Sequence, residues 1–448
     1  MTKILHIQPS KIKSDHSIPI AGYRHASNLI LAASIVLPET TTRITNLPHL
    51  VDTSVMIDVL SWLGADISNR EKNAISINTQ NLIAMNMAEQ QLSAKMHGSI
   101  YLVPALLARF GHVNFGKSGG CQIGASNEGG ERPINHIVEV MKAFGADVNI
   151  TPAGGIEASA EKLTAATIDI ADFSFEKDKI SGPLTSGATK AAIILTLAVT
   201  EGKTVLLNPF LKSETINLLE YVKSLGFIVS YDKDRLEIEP ALLNSKVTHQ
   251  VISDPSEIIT YISLAVYHHV RLTLTHITMQ KTAIILAPEL ELLKKIGVNF
   301  FISGTTLSVG LSEQINACDV EITPEFVCTD HHPFILLILL MANGKSHITE
   351  NVWHERFQYI PELAKFGMNI KKTNNSVEIT PQFPHIAKEV ILGCDLRAAA
   401  MLVILALKAP GETLITNFDH LYRGYEDLFD KLAFLGASIQ VEEMVDAS

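Results

Sequence analysis

The sequence has little cysteine and no pattern by which cysteines pair. Its four cysteines, Cys121, Cys318, Cys328 and Cys394, are scattered and form no C-x-x-C pair. Neither a zinc site nor a disulfide framework is indicated, and no metal or cofactor is expected. Long apolar runs are also missing. The longest, Phe334 to Ala342, has nine residues, whereas a membrane span needs about twenty. The opening residues, Met1-Thr-Lys-Ile-Leu-His6, lack a basic stretch followed by a long apolar core, so no signal peptide is expected. A reducing, cytoplasmic setting is the expectation. Charge is scarce: Asp, Glu, Lys and Arg make up 19% of the chain, below the usual quarter, which predicts many fully buried segments. The net charge of −11 argues against a general nucleic-acid binder. It leaves room for an anionic ligand held by a local cluster of arginines.

What is abundant is apolar surface and a repeating phrase. Hydrophobic residues are 47% of 448, enough for large cores in two or three domains. Six times a helix-like stretch ends in an apolar residue, then Gly, then a strand. The instances are Leu63-Gly64-Ala65-Asp66-Ile67, Phe144-Gly145-Ala146-Asp147-Val148, Leu225-Gly226-Phe227-Ile228, Ile296-Gly297-Val298-Asn299, Phe366-Gly367-Met368-Asn369-Ile370 and Leu435-Gly436-Ala437-Ser438-Ile439. Successive glycines are 81, 81, 71, 70 and 69 residues apart. Regular spacing at this length signals a repeated supersecondary unit, with each glycine at a helix C-terminus, where only Gly turns left-handed without penalty.

Earlier in each unit comes a helix apolar on nearly every face, as in Ala26 to Val36, Ser99 to Leu107, Ala188 to Val199, Pro333 to Ala342 and Leu396 to Leu407. Such a helix must be buried on all sides. Six of them cannot share one small core. The predicted fold is therefore α/β: a two-lobed, inside-out α/β barrel of six repeats, three per lobe, with buried helices and sheets outside. A solenoid of six stacked units is the alternative that periodicity leaves open.

Several residues stand out chemically. Cys121 sits in Ser118-Gly-Gly-Cys-Gln-Ile-Gly124; flanking glycines point to a mobile loop, although free cysteine is commonly a small buried hydrophobe. Asp330, in Cys328-Thr-Asp-His-His-Pro333, reads as an N-cap before a proline-led helix. Asp395 and Arg397 lead into an apolar helix and need partners; an ion pair between the two is one reading. Thr185-Ser186-Gly187 at a helix start suits a diphosphate or simple capping, and composition alone favours capping. Arg423 in Tyr-Arg-Gly-Tyr-Glu reads as an ordinary loop arginine.

From about Ile18 to Ile439 the chain resembles the enolpyruvyl transferases, specifically the UDP-N-acetylglucosamine branch that starts peptidoglycan synthesis. The resemblance rests on Asn46-Leu47-Pro48 with Asp52, Ala108-Arg109-Phe110-Gly111, Gly119-Gly120-Cys121-Gln122-Ile123-Gly124, Thr329-Asp330, Glu355-Arg356-Phe357, Asp395-Leu396-Arg397-Ala398 and Tyr422-Arg423-Gly424-Tyr425-Glu426. It implies two lobes: residues 1–22 with 249–448, carrying the acceptor base and the phosphoenolpyruvate arginines, and residues 23–248, carrying the cysteine loop and nucleotide contacts. The chain would cross between them near Gly22 and near Ser245. The implied substrates are phosphoenolpyruvate and a uridine-nucleotide-type acceptor, with no nucleic acid or membrane partner; the sequence does not fix the oligomeric state, and a monomer is the expectation. The family pattern makes Cys121 the general acid, Asp330 the base or orienting group, and Asp395 and Arg397 part of the catalytic set. It places Arg132, Thr185, Ser186, Gly187, Arg356 and Arg423 against the substrates. Arginine suits this because its planar fork bonds oxyanions bidentately.

The chain departs from the family where the substrates bind. Arg24 and His25 replace a lysine and an asparagine, His97 replaces an arginine, and Asn135 replaces an aspartate. Six residues, Ser126 to Glu131, intervene before Arg132-Pro133. The pattern fits retained chemistry on a retuned acceptor, or a silent binding protein; the shikimate-pathway branch of the same fold is a further alternative. If Cys121 is the acid, Cys121→Ser loses roughly a hundredfold in turnover or more, because a hydroxyl holds its proton too tightly. Phosphate release from phosphoenolpyruvate reads this out, and full activity of the serine variant removes the acid role.

Overall fold

A computed structural model of the protein describes residues 2–88, 96–119, 133–174, 182–278, 286–353, 355–386, 390–393 and 395–444. The chain forms two compact units, one taking in Met1–Ala21 and Ser253–Ser448, the other Gly22–Gln122 and Arg132–Ile252. Strand Lys246–Gln250 pairs in parallel with Thr41–Thr45. The chain therefore stays in the Gly22–Ile252 unit beyond Ser245, the crossing point the resemblance implied.

In the Gly22–Ile252 unit the helices are α1 (Arg24–Ala33), α2 (Val51–Trp62), α3 (Leu102–Phe110), α4 (Asn135–Ala143), α5 (Leu184–Thr196) and α6 (Ser213–Ser224). The other unit has α7 (Pro255–His268), α8 (Ala287–Lys295), α9 (His332–Leu339), α10 (Ile360–Lys365), α11 (Leu396–Ala406) and α12 (Leu428–Phe434). Every residue of α9 and α11 is buried, and so are all of α7 except its last. These are the helices that lack a polar face, as burial on all sides requires. Helix α7 is the buried helix of the fourth segment, which the sequence reading did not name. None of the described helices is long and apolar enough to cross a membrane.

Among the described residues each unit carries three sheets. Those of the Gly22–Ile252 unit contain the hairpins Asp66–Glu71/Ala74–Asn78, Asp147–Ile150/Ile156–Ser159 and Ile228–Tyr231/Arg235–Glu239. Those of the other unit contain Phe300–Ser303/Thr306–Val309, Lys371–Thr373/Ser376–Ile379 and the antiparallel pair Thr2–Gln8/Ser438–Met444. The sheets are open; none closes into a barrel of its own. Many strands alternate, as in the iBiB pattern of Thr306–Val309, so one face packs on the helices and the other meets solvent.

The six glycines do what the sequence demanded. Gly64, Gly145, Gly226, Gly297, Gly367 and Gly436 all have positive φ, between 77° and 111°, and follow α2, α4, α6, α8, α10 and α12. At the first, Gly64 N–H donates to Ser61 O at 3.0 Å and Ala65 N–H to Leu60 O at 2.9 Å, closing the helix end. A Cβ on Gly226, whose φ is +111°, would stand 2.3 Å from the backbone oxygen of Leu242. Gly226→Ala should therefore destabilise by about 3 kcal/mol. Gly304→Ala, at φ +55° with nothing within 4 Å, should cost about 1 kcal/mol. Urea unfolding of the two variants checks the contrast; equal losses would leave the close approach without consequence.

Candidate functional site

Two helix starts in the Ser253–Ser448 unit deliver carboxylates to one place. Asp254 is the N-cap of α7 and accepts from Ser256 N (2.8 Å) and Glu257 N (3.2 Å). Asp395 is the N-cap of α11 and accepts from Arg397 N (2.8 Å) and Ala398 N (3.1 Å). Both use one oxygen for the cap, the usual work of Asp at this position, and keep the other for a cation. Arg397, two residues into α11, is 1% exposed. Its Nε donates to Asp330 Oδ2 at 3.2 Å, its Nη2 lies 4.0 Å from Asp254 Oδ2, and its guanidinium carbon sits 5.1 Å from the Tyr425 ring centre.

Asp330 joins this arginine to a second. Arg356, 4% exposed, donates from Nη2 to Asp330 Oδ1 at 3.0 Å, and its Nε lies 3.7 Å from Asp395 Oδ2. The two oxygens of Asp330 thus each hold a different buried guanidinium. Burial opposes both arginine charges. Asp395, Asp330 and Glu350 overcome it for Arg356, and Tyr425, Asp254 and Asp330 for Arg397, so both stay above the ordinary arginine range. Arg356 Nε is buried without a hydrogen-bond partner, and the Arg397 Nη atoms find no carboxylate within hydrogen-bond distance, only the Tyr425 hydroxyl beside them. Buried donors left over in this way mark a place where an anion would be welcome.

The surroundings are tuned as well. Glu350 accepts from the Thr329 hydroxyl at 2.7 Å and from Val352 N and Trp353 N at 2.7 and 3.1 Å. Burial nevertheless pushes its carboxyl up to about 7, against the pull of Thr329 and Arg356. The His332 ring is wholly buried against Phe357 and Tyr359; burial, then Arg356, holds it well below the ordinary histidine value, hence neutral.

The Gly22–Ile252 unit has polar groups of its own, several of them at helix starts. Arg24 opens α1 and pairs with Asp52 at 3.0 Å, the two side chains 11% and 6% exposed. The His25 ring meets Tyr23 edge-on at 5.2 Å, and His97 opens a 3-10 turn, His97–Tyr101. In the first turn of α5, Thr185 is fully buried with its hydroxyl oxygen unpartnered. Ser186 Oγ accepts from Lys190 Nζ at 2.6 Å, and Lys190 pairs with Glu214 at 2.6 Å. Gly187 lies against His136; a Cβ there would be 2.0 Å from the ring Nε2. Burial and then Lys190 push His136 down to about 4, so it is neutral.

A sequence profile for EPSP synthase (3-phosphoshikimate 1-carboxyvinyltransferase) matches residues 9–432. The UDP-N-acetylglucosamine 1-carboxyvinyltransferase of Prosthecochloris aestuarii is 30% identical over 437 residues, 96% of each chain. That of Campylobacter lari is 31% identical over 434 residues, covering 96% of this chain and 97% of its own. The chain belongs to the enolpyruvyl transferase family. Among solved structures, the enolpyruvyl transferase NikO from Streptomyces tendae aligns with a TM-score of 0.89 at 29% identity, covering 98% of this chain and 99% of that one. An EPSP synthase from Acinetobacter baumannii, at 16% identity and a TM-score of 0.72 over 98% and 100% of the two chains, shares the fold.

In this transferase Asp330, Arg356, Asp395 and Arg397 come together as one cluster. Arg423 ends the neighbouring 3-10 turn Asp419–Arg423, half-buried. Cys121 and Arg132 lie outside the described residues. Three local readings are corrected. Asp330 does not cap α9, whose N-cap is His331 with no side-chain bond; it is taken up by arginines instead. Asp395 caps α11 and approaches Arg356, while the Arg397 guanidinium is held by Asp330 and Asp254. Thr185 and Ser186 do not cap α5, whose N-cap is Pro183, with no side-chain bond. Sequence reasoning missed Asp254 and Glu350. Asp254 carried a signal, since Asp before Pro at a helix start is a strong cap; a lone Glu ending a strand carried none.

Glu350 gives a pH test. Its carboxyl is raised from the ordinary 4.5 to about 7, so its stabilising contribution is complete below about 4.5 and lost as pH rises through about 7. Replacing it by Gln should flatten the fall in stability across that window, worth on the order of 3 kcal/mol. Urea midpoints of wild type and Glu350→Gln from pH 4.5 to 8 measure it; parallel curves would contradict the assignment.

Proposed function

We propose that the protein transfers the enolpyruvyl group of phosphoenolpyruvate to a hydroxyl of UDP-N-acetylglucosamine with release of phosphate, a cell-wall precursor step. The observation that carries the reading is Asp330 bridging Arg356 and Arg397, two buried guanidiniums with donors to spare. The curated relatives near 30% identity carry that name. In the reaction the acceptor oxygen bonds to C2 of phosphoenolpyruvate while a proton reaches C3. Loss of that proton and of phosphate then leaves the enol ether. Arg356, Arg397 and Arg423 offer cations for the phosphate and carboxylate, in fork geometry and away from water, where such contacts are strongest. Asp330 is the base for the acceptor hydroxyl, and Cys121 the acid for C3. The nucleotide falls to His25, His97, Arg132 and the Thr185-Ser186-Gly187 turn, whose unpartnered Thr185 hydroxyl and free N–H groups suit a diphosphate. We also infer that the six glycine-capped segments are copies of one unit, three per lobe, in the inside-out arrangement.

A second reading keeps the chemistry and changes the acceptor to another uridine nucleotide. It is favoured by Arg24, which is already paired with Asp52, by neutral His136 packed on Gly187, and by Asn135 and the Ser126–Glu131 insertion. Phosphate release with phosphoenolpyruvate and a panel of uridine nucleotides separates the two. UDP-N-acetylglucosamine should outperform every other acceptor, and Asp330→Asn should lose roughly a hundredfold or more. Preference for another nucleotide selects the second reading, and no release with any acceptor sinks both.

A further inference from the structure

We propose that His331 is a positioning residue that fixes the spacing of the two carboxylates flanking Arg397. The inference rests on the reading of Asp330 as the base. Its ground is a closed ring of contacts within the Ser253–Ser448 unit. Glu289, 2% exposed, accepts from Cys328 N at 2.8 Å and from His331 Nδ1 at 2.9 Å through the same oxygen. A carboxylate only accepts, so Nδ1 carries the ring proton. Nε2 is then the acceptor, and the Ser256 hydroxyl donates to it at 3.1 Å. His331 N also donates to Cys328 O at 2.8 Å, closing the turn that presents Asp330.

The ring runs from there to the other carboxylate. Ser256 N donates to Asp254 Oδ1 at 2.8 Å, and Asp254 Oδ2 faces Arg397 Nη2 at 4.0 Å. Arg397 Nε returns to Asp330 Oδ2 at 3.2 Å. The Glu289–His331–Ser256 chain therefore ties the Asp330 turn to the start of α7. Side chains of all three are nearly sealed from solvent, with His331 3% and Ser256 1% exposed. This arrangement of carboxylate, imidazole and hydroxyl has the order of a nucleophilic triad. Its burial, and its location behind Asp330 rather than beside an open surface, exclude that use. What it does control is geometry: moving His331 shifts Asp330 relative to Asp254 and turns Arg397 with them. A displacement of about 1 Å at a reacting group costs up to a hundredfold.

The test uses the full chain in single-turnover phosphate release, with enzyme in excess over UDP-N-acetylglucosamine and phosphoenolpyruvate saturating, so that inactive protein does not enter the rate. Ser256→Ala and His331→Asn each cut one side of the same link. Each should slow turnover roughly tenfold or more, with KM for phosphoenolpyruvate, taken from a separate steady-state titration of that substrate, within about threefold of wild type. The double variant should be no slower than the worse single one, since both break one interaction. Wild-type rates in both variants, additive losses, or a KM rise that matches the loss would overturn the proposal. Asp330→Asn run alongside separates the two claims: if it loses turnover while the other variants keep it, only the positioning role fails. If Asp330→Asn keeps turnover, the reading of Asp330 as base fails.

Discussion

Burying two guanidiniums side by side is the constraint on which the Ser253–Ser448 unit depends. An isolated charge in a protein interior is prohibitively costly, and Arg356 and Arg397 are almost wholly buried. They are tolerable there because Asp330, Asp395 and Asp254 surround them. Two of these carboxylates are themselves fixed by backbone N–H groups at the starts of α11 and α7. Removing any one partner would leave an uncompensated buried charge, typically costing about 3 to 5 kcal/mol. The same ion pairs that make the two charges tolerable fix where the guanidiniums lie.

Helices buried on all sides explain why this chemistry gathers at helix starts. Such a helix has no polar face along its length, so its charged residues must sit at its ends. Arg397 in α11, Asp254 before α7 and Arg24 in α1 follow this rule; Lys190, midway along α5, is the exception and is held by Ser186 and Glu214. The cations are answered by acids, Arg397 by Asp330, Arg24 by Asp52 and Lys190 by Glu214, and Asp254 is answered by backbone N–H groups of α7. The free N–H groups of a helix start add attraction for anions. One architectural demand, burial of apolar helices inside sheets, therefore also concentrates anion-binding capacity at a few chain positions.

That demand was readable in the sequence. The spacing of Gly64, Gly145, Gly226, Gly297, Gly367 and Gly436 marked helix ends because a positive φ leaves few other residues to choose from. All-apolar stretches such as Leu396 to Leu407 marked the buried helices because no other placement hides them. The family motifs named Asp330, Arg356, Asp395 and Arg397. Their pairing was not legible, because Asp330 and Arg397 lie 67 positions apart and sequence proximity instead pairs Asp395 with Arg397. Local rules assigned caps to Asp330 and Thr185 because tertiary ion pairs and close packing, such as Gly187 on His136, leave no local trace.

The central claim is that Asp330 holds Arg356 and Arg397 ready and spends its charge on the acceptor proton rather than on holding phosphoenolpyruvate. Calorimetric binding of phosphoenolpyruvate to wild type and Asp330→Asn tests it most directly. A competing anion removed from beside two arginines should leave binding equal or tighter in the variant, even as turnover is lost. Binding that weakens in step with turnover would contradict the account.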